Sequence, residues 1–219
     1  MHIDIWSDVV CPWCYIGKRR FEIALDGIQV PGGATVVHRS FQLDPSRPLG
    51  QTQNRRQMLM TKYRLSAEQV EAMDARMEQL GAADGLEYHL RPEGVTGNTR
   101  QAHELVHLGR TRGIGDAVLE RFFKAYFAEG RSVFDPESLV SLAQEAGLDP
   151  AASRQALDEG TYTAAVAAEG DQARHLGANG VPFFVVDSRF GVSGAQSIEV
   201  FRNTLERAAT AAMPEARGA

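Results

Sequence analysis

The chain has 219 residues, a formal net charge of −5 and a hydrophobic content of 43 %. This composition excludes disordered and collagen-like chains, and the length allows a core large enough to fold without disulfides or metals. The mild acidity argues against nucleic-acid and anionic-membrane partners, since both need a basic field. The longest apolar run, 181–186, is also too short for a membrane span of about 20 residues.

Export and metal binding are both unexpected from the sequence. Residue 1 leads straight into the first periodic segment, with no basic and then apolar leader, so we expect a cytoplasmic protein without a membrane partner. The two cysteines, Cys11 and Cys14, are too few for a disulfide framework or a four-cysteine zinc site. We therefore expect no bound metal.

The first 41 residues have the pattern of a βαβ unit. Alternation of apolar and polar residues over 2–6 predicts a strand. Pro12 suits the first position of a helix, where its missing N–H costs nothing, and this helix should end near Gly27. A second strand is expected over 34–41. The crossover between the two strands should be right-handed, which makes them parallel neighbours in one sheet.

The middle of the chain is helical in pattern. Ser66 and Gln69 form a capping box at the start of one helix, and Gly81 is expected to cap its end. Further helices are predicted to start near Asn98, before Val118, at Asp135-Pro136, at Asp149-Pro150 and near Tyr162.

The end of the chain returns to strands at 182–187 and 190–193, followed by an amphipathic helix through 200–208. A short hairpin is unstable alone, so these strands should join the first sheet. The order predicts an α/β fold of the form βαβ…ββα, with one sheet interrupted by an all-helical insertion. The predicted parts are a discontinuous sheet domain at 1–47 and 177–212, the insertion at 48–176, and a frayed tail at 213–219.

The spacing of the two cysteines predicts redox chemistry. Cys11 lies where a strand has ended and a helix begins, and the unpaired N–H groups and positive dipole end of a helix N-terminus stabilise a thiolate. Cys14 lies one helical turn later, on the same face and deeper. It is therefore placed to resolve a mixed disulfide by attacking Cys11. The alternative is two inert thiols buried in a helix.

A second motif precedes the later strands. Pro182 is compatible with an ordinary trans bond at the start of an edge strand, or with a cis Val181-Pro182 bond. Several further segments combine with it into a recognisable set. They are 8–17 (Asp-Val-Val-Cys-Pro-Trp-Cys-Tyr-Ile-Gly), Phe41-Gln42-Leu43, Gly97-Asn98-Thr99 with Ala102-His103, Ala125-Tyr126-Phe127, Gly180-Val181-Pro182-Phe183-Phe184 and Ser193-Gly194-Ala195-Gln196.

This set spans nearly the whole chain and resembles the DsbA-like oxidoreductases, in particular their cytosolic FrnE-like branch. The resemblance implies a thioredoxin fold and a thiol–disulfide oxidoreductase or isomerase. Its catalytic residues would be Cys11 as nucleophile, Cys14 as resolving thiol, and Pro182. A cis Val181-Pro182 bond would face the sulfurs, and the Val181 backbone would pair with an extended substrate segment.

The resemblance also assigns outer parts of the site and shows a departure. Pro12 and Trp13 would contact the substrate together with Val181, and the supporting residues would be Asp8, Asn98 and His103. Many thioredoxin-fold relatives carry a buried acid six residues before the first cysteine, and this chain has Ile5 there. Asp8 is the nearest acid and is expected to substitute.

Two other motifs in the sequence could carry a function. His103 to His107 matches the H-E-x-x-H pattern, which on a helix places two zinc ligands on one face with Glu104 as a base. No third ligand follows at a familiar spacing, so we interpret the pair as a helix face, with His107 structural or solvated. The basic run 18–20 predicts a solvated helix face, with thiolate stabilisation or attraction of acidic glutathione as the alternative.

Two functional classes follow from the sequence. The first is a thiol–disulfide oxidoreductase acting on protein thiols or disulfides. The second is a glutathione-dependent isomerase or transferase, since hydroxychromene-carboxylate isomerases and kappa-class transferases resemble this architecture, and it includes a role in secondary metabolism. Those enzymes usually carry serine at the first cysteine, so the retained pair favours the first class. We expect no tightly bound cofactor, glutathione as a candidate co-substrate, and a monomer or a homodimer.

Overall fold

The computed structural model describes residues 1–212, and the tail predicted at 213–219 lies outside the described residues. A π-helical turn, Ala125–Glu129, directly follows the helix Gly115–Lys124, which is α5 in the numbering below. The strands are β1 (His2–Ser7), β2 (Thr35–Ser40), β3 (Thr52–Asn54), β4 (Val95–Gly97), β5 (Phe183–Val186) and β6 (Phe190–Ser193). The helices are α1 (Pro12–Asp26), α2 (Arg55–Tyr63), α3 (Ala67–Ala83), α4 (Arg100–Thr111), α5 (Gly115–Lys124), α6 (Pro136–Glu145), α7 (Pro150–Glu159), α8 (Thr163–His175) and α9 (Ile198–Ala212).

The main sheet has the strand order β2-β1-β5-β6. β1 is parallel to β2, with Ile3 opposite Val36, and antiparallel to β5, with Ile5 opposite Phe184. β5 and β6 form the closing hairpin. The predicted βαβ…ββα sheet is therefore confirmed, and the β1–α1 junction is held at its centre.

The two faces of this sheet are covered by different helices. Ile3 and Ile5 point to the face covered by α1 and α9, where they pack with Phe21 and Phe201. Trp6 points to the opposite face, in a cluster that includes residues of α8 and β5. α8 packs on both β2 and α4. α8 therefore connects the main sheet to the helical region, which in sequence lies between β2 and β5.

The middle of the chain is mainly helical and packs around an apolar core that includes Phe122, Phe123 and Phe127. The start of α1 belongs to the same core through Cys14 and Tyr15. The middle of the chain also contains a second sheet that the sequence did not predict, formed by β3 and β4. Each of these strands has three residues, which is too short to show an alternating pattern. α2 was also not predicted, and it contains no fully buried residue. Among residues 1–212, no helix has the length and apolarity that crossing a membrane requires.

The start of α3 agrees with the sequence, whereas its end does not. Ser66 and Gln69 make both hydrogen bonds of the capping box. The helix does not end at Gly81 but continues to Ala83. A Cβ at residue 81 would lie 2.4 Å from Cδ2 of Tyr88. The glycine is therefore required by the close approach of an aromatic ring, a contact that helix-capping patterns cannot reveal.

Candidate active site

The two cysteines begin the helix that follows the central strand. Cys11 is the N-cap residue of α1 with extended backbone, φ −89° and ψ 112°, and Pro12 takes the first helical position. The turn before the helix is closed by a hydrogen bond from the Cys11 amide to the Asp8 carbonyl, 3.0 Å. Cys11 and Cys14 are free thiols, 5 % and 1 % exposed. Trp13 between them is 42 % exposed and presents the motif to the surface.

The surroundings of Cys14 disfavour its ionisation. Burial raises its pKa well above the ordinary value, because the thiolate loses its hydration. Its hydrogen bond with Cys11 and the negative charges of Cys11 and Asp8 raise the pKa further, while a hydrogen bond with the Asp8 backbone lowers it. At neutral pH Cys14 is therefore a protonated thiol that contacts Cys11.

The loop before β5 faces the first cysteine. The Val181–Pro182 peptide bond is cis, as the resemblance implied. The Cys11 thiol donates a hydrogen bond to the Val181 carbonyl, with 3.5 Å between sulfur and oxygen. Pro182 is buried and lies against α1, where a Cβ at Gly17 would come within 2.8 Å of its Cγ. The missing side chain of Gly17 thus lets the proline loop approach the sulfurs.

Tyr88 belongs to the site although sequence reasoning missed it. Its hydroxyl donates to the Pro12 carbonyl at 2.8 Å, and its ring packs on Phe127 at a centroid distance of 4.8 Å. Burial raises its pKa strongly, and the acidic groups Cys11, Tyr15 and Cys14 nearby raise it further, because each of them would disfavour a phenolate beside it when ionised. The phenol therefore stays protonated as a donor. The only local signal was Gly81, whose small size makes room for the ring.

Asp8 and His103 form a buried hydrogen-bonded pair. The Asp8 carboxylate accepts a hydrogen bond from the Leu43 amide at 2.7 Å, and its Oδ1 lies 3.3 Å from Nε2 of His103. Both side chains are almost fully buried. They come from the β1–α1 loop and from α4, and only the folded chain brings them together.

Asn98 has a different environment from the other expected site residues. Its amide accepts from Gln42 at 2.9 Å and donates to the Arg47 carbonyl at 2.6 Å. It also accepts from the Arg100 amide at the start of α4. These hydrogen bonds tie the loop after β2 to α4, and none of them reaches a cysteine. Asn98 therefore holds the loop from which the Leu43 amide reaches Asp8.

The H-E-x-x-H segment does not build a metal site. His107 Nε2 lies 2.9 Å from Oε2 of Glu169 on α8, and Glu104 hydrogen-bonds to Thr163. The two histidines thus bind two different carboxylates, Asp8 and Glu169. In the part of the chain that the structure describes, no three His, Cys, Asp or Glu side chains are grouped to hold a metal.

The basic run in α1 is not a solvated face, so this expectation was wrong for Lys18. Its side chain is buried, and its ammonium group lies 3.0 Å from Asp116 and 2.8 Å from Glu120, both on α5. Burial alone lowers the pKa of Lys18, but these carboxylates and Glu22 raise it above the ordinary value overall. The run therefore joins α1 to the helical region rather than to the thiols.

Comparison with known families identifies the family of the chain. A model of the DSBA-like thioredoxin domain matches residues 2–206, so the chain belongs to this family. The protein YwbO of Bacillus subtilis (strain 168) is 30 % identical over 167 residues, which cover 74 % of each chain. The predicted thioredoxin-type α/β fold is thereby confirmed.

Solved structures extend the comparison. A probable DsbA oxidoreductase from Streptomyces coelicolor has a TM-score of 0.93 and 45 % identity, covering 98 % of this chain and 92 % of that one. The cytosolic disulfide reductase DsbM from Pseudomonas aeruginosa, solved with glutathione, has a TM-score of 0.66 and 20 % identity, covering 94 % and 98 %. A 2-hydroxychromene-2-carboxylate isomerase has a TM-score of 0.71 and 16 % identity, covering 94 % and 95 %. The last two share the fold.

Proposed function

We propose that the protein is a thiol–disulfide oxidoreductase whose reactive pair is Cys11 and Cys14. The observation that carries the proposal is the pair itself: two free thiols in mutual contact at the N-terminus of α1, opposite the Val181–Pro182 loop. Helix N-termini favour negative charge, so this is a place where an attacking thiolate is stabilised. Membership in the DSBA-like family supports the same chemistry.

The first step is attack by Cys11 on a substrate disulfide. Its sulfur forms a new S–S bond with one substrate sulfur, the substrate S–S bond breaks, and the other substrate sulfur leaves as a thiolate. Pro12, Trp13 and Val181 surround the reacting sulfur and contact the substrate. In the resting protein the Val181 carbonyl accepts a hydrogen bond from the Cys11 thiol. When substrate binds, this carbonyl instead pairs with the extended substrate backbone. Pro182 fixes this strand against α1.

The second step is resolution by Cys14. The Cys14 thiol gives up its proton and its sulfur bonds to the Cys11 sulfur, so that the bond between Cys11 and the substrate breaks. The substrate sulfur leaves as a thiolate that takes up a proton, and the cysteine pair is oxidised by two electrons. The contact between the two thiols supports this step, because no large movement is needed to bring them together. Because Cys14 is deeply buried, disulfides in solution cannot reach it, and Cys11 is the sulfur that it can attack.

The substrate class we propose is protein disulfides or glutathione in the cytoplasm, with glutathione as a freely exchanging co-substrate. The structural neighbour DsbM, named a cytosolic disulfide reductase and solved with glutathione, supports this choice. The second candidate is a glutathione-dependent isomerase or transferase, favoured by the fold shared with 2-hydroxychromene-2-carboxylate isomerase. That chemistry needs one group that activates a bound thiol and does not need a cycling pair.

The deciding experiment compares the wild type with Cys11→Ser and Cys14→Ser in insulin reduction and in glutathione conjugation. Cys11→Ser should abolish disulfide exchange. Cys14→Ser should accumulate a mixed disulfide between Cys11 and insulin or glutathione, visible by mass spectrometry. Full insulin reduction by Cys14→Ser would contradict the dithiol mechanism, and full conjugation activity in the same variant would favour the transferase or isomerase.

A further inference from the structure

The helical region contains a cavity that the disulfide chemistry does not use. Its volume is about 210 Å³. Its lining residues are Arg55 and members of the segments 89–95 and 126–134, so the cavity is separate from the cysteine pair. The apolar part of its wall consists of Leu90, Val95, Tyr126 and Phe134. Apolar walls next to a few charged groups are typical of sites for small molecules.

The aromatic wall of the cavity is built around Tyr126. This residue belongs to the π-helical turn, and π-turns next to α-helices are frequent at functional sites. Its ring meets the ring of Phe134 edge to face, with centroids 5.8 Å apart and planes at 87°. Its hydroxyl donates to the Val95 carbonyl at 2.8 Å. The ring is therefore held in place and offers a preformed surface to an aromatic ligand.

The size of the cavity selects a small ligand. In other proteins an apolar cavity of about 150 Å³ holds one benzene ring. Pockets for drug-sized ligands are larger, about 300–1,000 Å³. At about 210 Å³ this cavity has room for one ring with one small substituent.

Three arginines line the cavity, and they differ in their partners. Arg55 forms an ion pair with Asp74, and Arg131 lies 2.8 Å from Glu145. Arg91 is exposed, and within residues 1–212 its guanidinium takes part in no ion pair and no hydrogen bond. A guanidinium without a partner, next to an apolar cavity, can donate two parallel hydrogen bonds to a carboxylate.

The backbone that carries Arg91 is fixed by two hydrogen bonds. The Gly94 amide donates to the Arg91 carbonyl at 3.0 Å and closes a turn with Pro92 at its second position. The side-chain amide of Asn54 donates to the Pro92 carbonyl at 2.8 Å, which ties this turn to the start of α2. Because the turn is already ordered, binding a ligand costs little backbone entropy there.

The charges around the cavity match one negative charge better than two. Arg55 and Arg131 are compensated by carboxylates of the protein, so Arg91 is the cation that remains for a ligand. Glu93 also lines the cavity and is exposed, and its charge repels a second negative charge on a ligand. A carboxylate, with one charge, is therefore favoured over a phosphate group with two.

We propose that this cavity binds a small aromatic carboxylate, with its ring against Tyr126 and Phe134 and its carboxylate on Arg91. The inference goes beyond the proposed disulfide exchange, because the site uses no thiol and binding involves no covalent step. An inorganic anion lacks the ring, and a neutral aromatic compound lacks the charge. Each should therefore bind more weakly than benzoate.

The test is a titration of the isotope-labelled protein with benzoate, followed by the NMR chemical shifts of backbone amides. Gly94, Gly130 and Ser132 line the cavity and report on it. We expect their amides to shift saturably with a Kd on the order of 1 mM, a normal affinity for a ligand of so few atoms. Benzamide, with nearly the same shape and no charge, should bind about tenfold more weakly. Acetate and inorganic phosphate should give no saturable shift of these amides.

Three variants separate the charged and the apolar part of the site. Arg91→Gln should weaken benzoate binding about tenfold and leave benzamide binding unchanged, because it removes the charge-assisted hydrogen bonds. Its matched control is Arg112→Gln at the exposed end of α4, which should bind benzoate like the wild type. Val95→Phe puts a larger side chain into the cavity wall and should abolish binding of both compounds.

Absence of saturable shifts of these amides with benzoate would overturn the proposal. Equal affinity of the wild type and Arg91→Gln would also overturn it, because the carboxylate would then bind elsewhere. Binding of acetate or phosphate as tight as that of benzoate, or tighter binding of phenyl phosphate, would refute the assigned ligand class. If Val95→Phe fails to fold, Arg91→Gln still decides the outcome, since it changes an exposed side chain.

Discussion

Two buried carboxylates, each touching a histidine of α4, have very different surroundings. Glu169 on α8 accepts from the Ser40 amide at 2.7 Å, from Arg110 at 2.7 Å and from Arg39 at 3.0 Å, and it lies 2.9 Å from His107. The Asp8 carboxylate, in the loop before Cys11, has two hydrogen-bond partners, the Leu43 amide and His103. The two sites lie one helical turn apart along α4.

The difference lies in the number of cations that compensate each buried carboxylate. Burial alone raises the pKa of Glu169, but hydrogen bonds from His107, the Ser40 amide and Arg110 hold the pKa far below its ordinary value. Such a carboxylate stays ionised and fastens α8 to β2 and α4. Asp8 has the Leu43 amide and His103 as its hydrogen-bond partners, and within residues 1–212 it forms no ion pair with a lysine or an arginine.

Removing the structural charge should have the largest effect on stability. Glu169→Gln leaves two arginines without their carboxylate and should reduce the free energy of unfolding by about 3 kcal/mol, the lower end for a broken buried pair, since the arginines are partly exposed. Urea unfolding at neutral pH measures the loss. Disulfide exchange per folded molecule should stay near the wild-type value, and a selective loss of exchange would contradict the division between the two sites.

The same site gives a pH test with a defined sign. Because the folded pKa of Glu169 is depressed, its stabilising contribution is present above the unfolded value of about 4.3 and is lost as pH falls below it. The difference in stability between wild type and Glu169→Gln should therefore shrink in acid. A constant difference from neutral pH down into acid would contradict this assignment.

The thiol region should show unequal reactivity. In the reduced protein, iodoacetamide should alkylate Cys14 about a hundredfold more slowly than Cys11, because alkylation follows the thiolate population and access to solvent. Burial and the neighbouring charges suppress both for Cys14. Mass spectrometry of timed samples gives the two rates. Equal rates would contradict the assigned roles of nucleophile and resolving thiol.

The approach of the proline loop can be sharpened with a pair of helical glycines. Gly17→Ala places a Cβ 2.8 Å from Pro182 and should lower stability by about 1–3 kcal/mol while slowing insulin reduction. The control is Gly170→Ala on α8, where the nearest atom would lie 3.5 Å away. It should leave stability unchanged or raise it by about 0.5–1 kcal/mol. Equal behaviour of the two variants would refute the role given to Gly17.

The smallest expected effect concerns the support of the motif from the helical region. Tyr88→Phe removes one hydrogen bond to the Pro12 carbonyl and should cost about 1 kcal/mol in unfolding free energy. It should also change the redox potential of the pair, measured against glutathione, because the carbonyl beside Cys11 loses its donor. An unchanged potential would show that Tyr88 serves packing alone.

Much of the fold and of the reactive pair could be predicted because the signals are local. The strand at β1, Pro12 at the first helical position and the capping box at Ser66 depend on neighbours within a few residues. The pair Cys11 and Cys14 is placed by helix geometry in the same way. The two three-residue strands and α2 escaped prediction because they are too short or too little buried to have a clear apolar period.

By itself the sequence determined that two thiols stand at a helix start after a strand, and that a proline precedes the later hairpin. Tertiary structure alone decided that His103 meets Asp8 across 95 residues and that Tyr88 reaches the Pro12 carbonyl across 76. It also decided that Lys18 is buried among carboxylates of α5. The physical reason is that periodicity and capping encode the conformation of a segment, whereas the partner of a polar side chain depends on how distant segments pack.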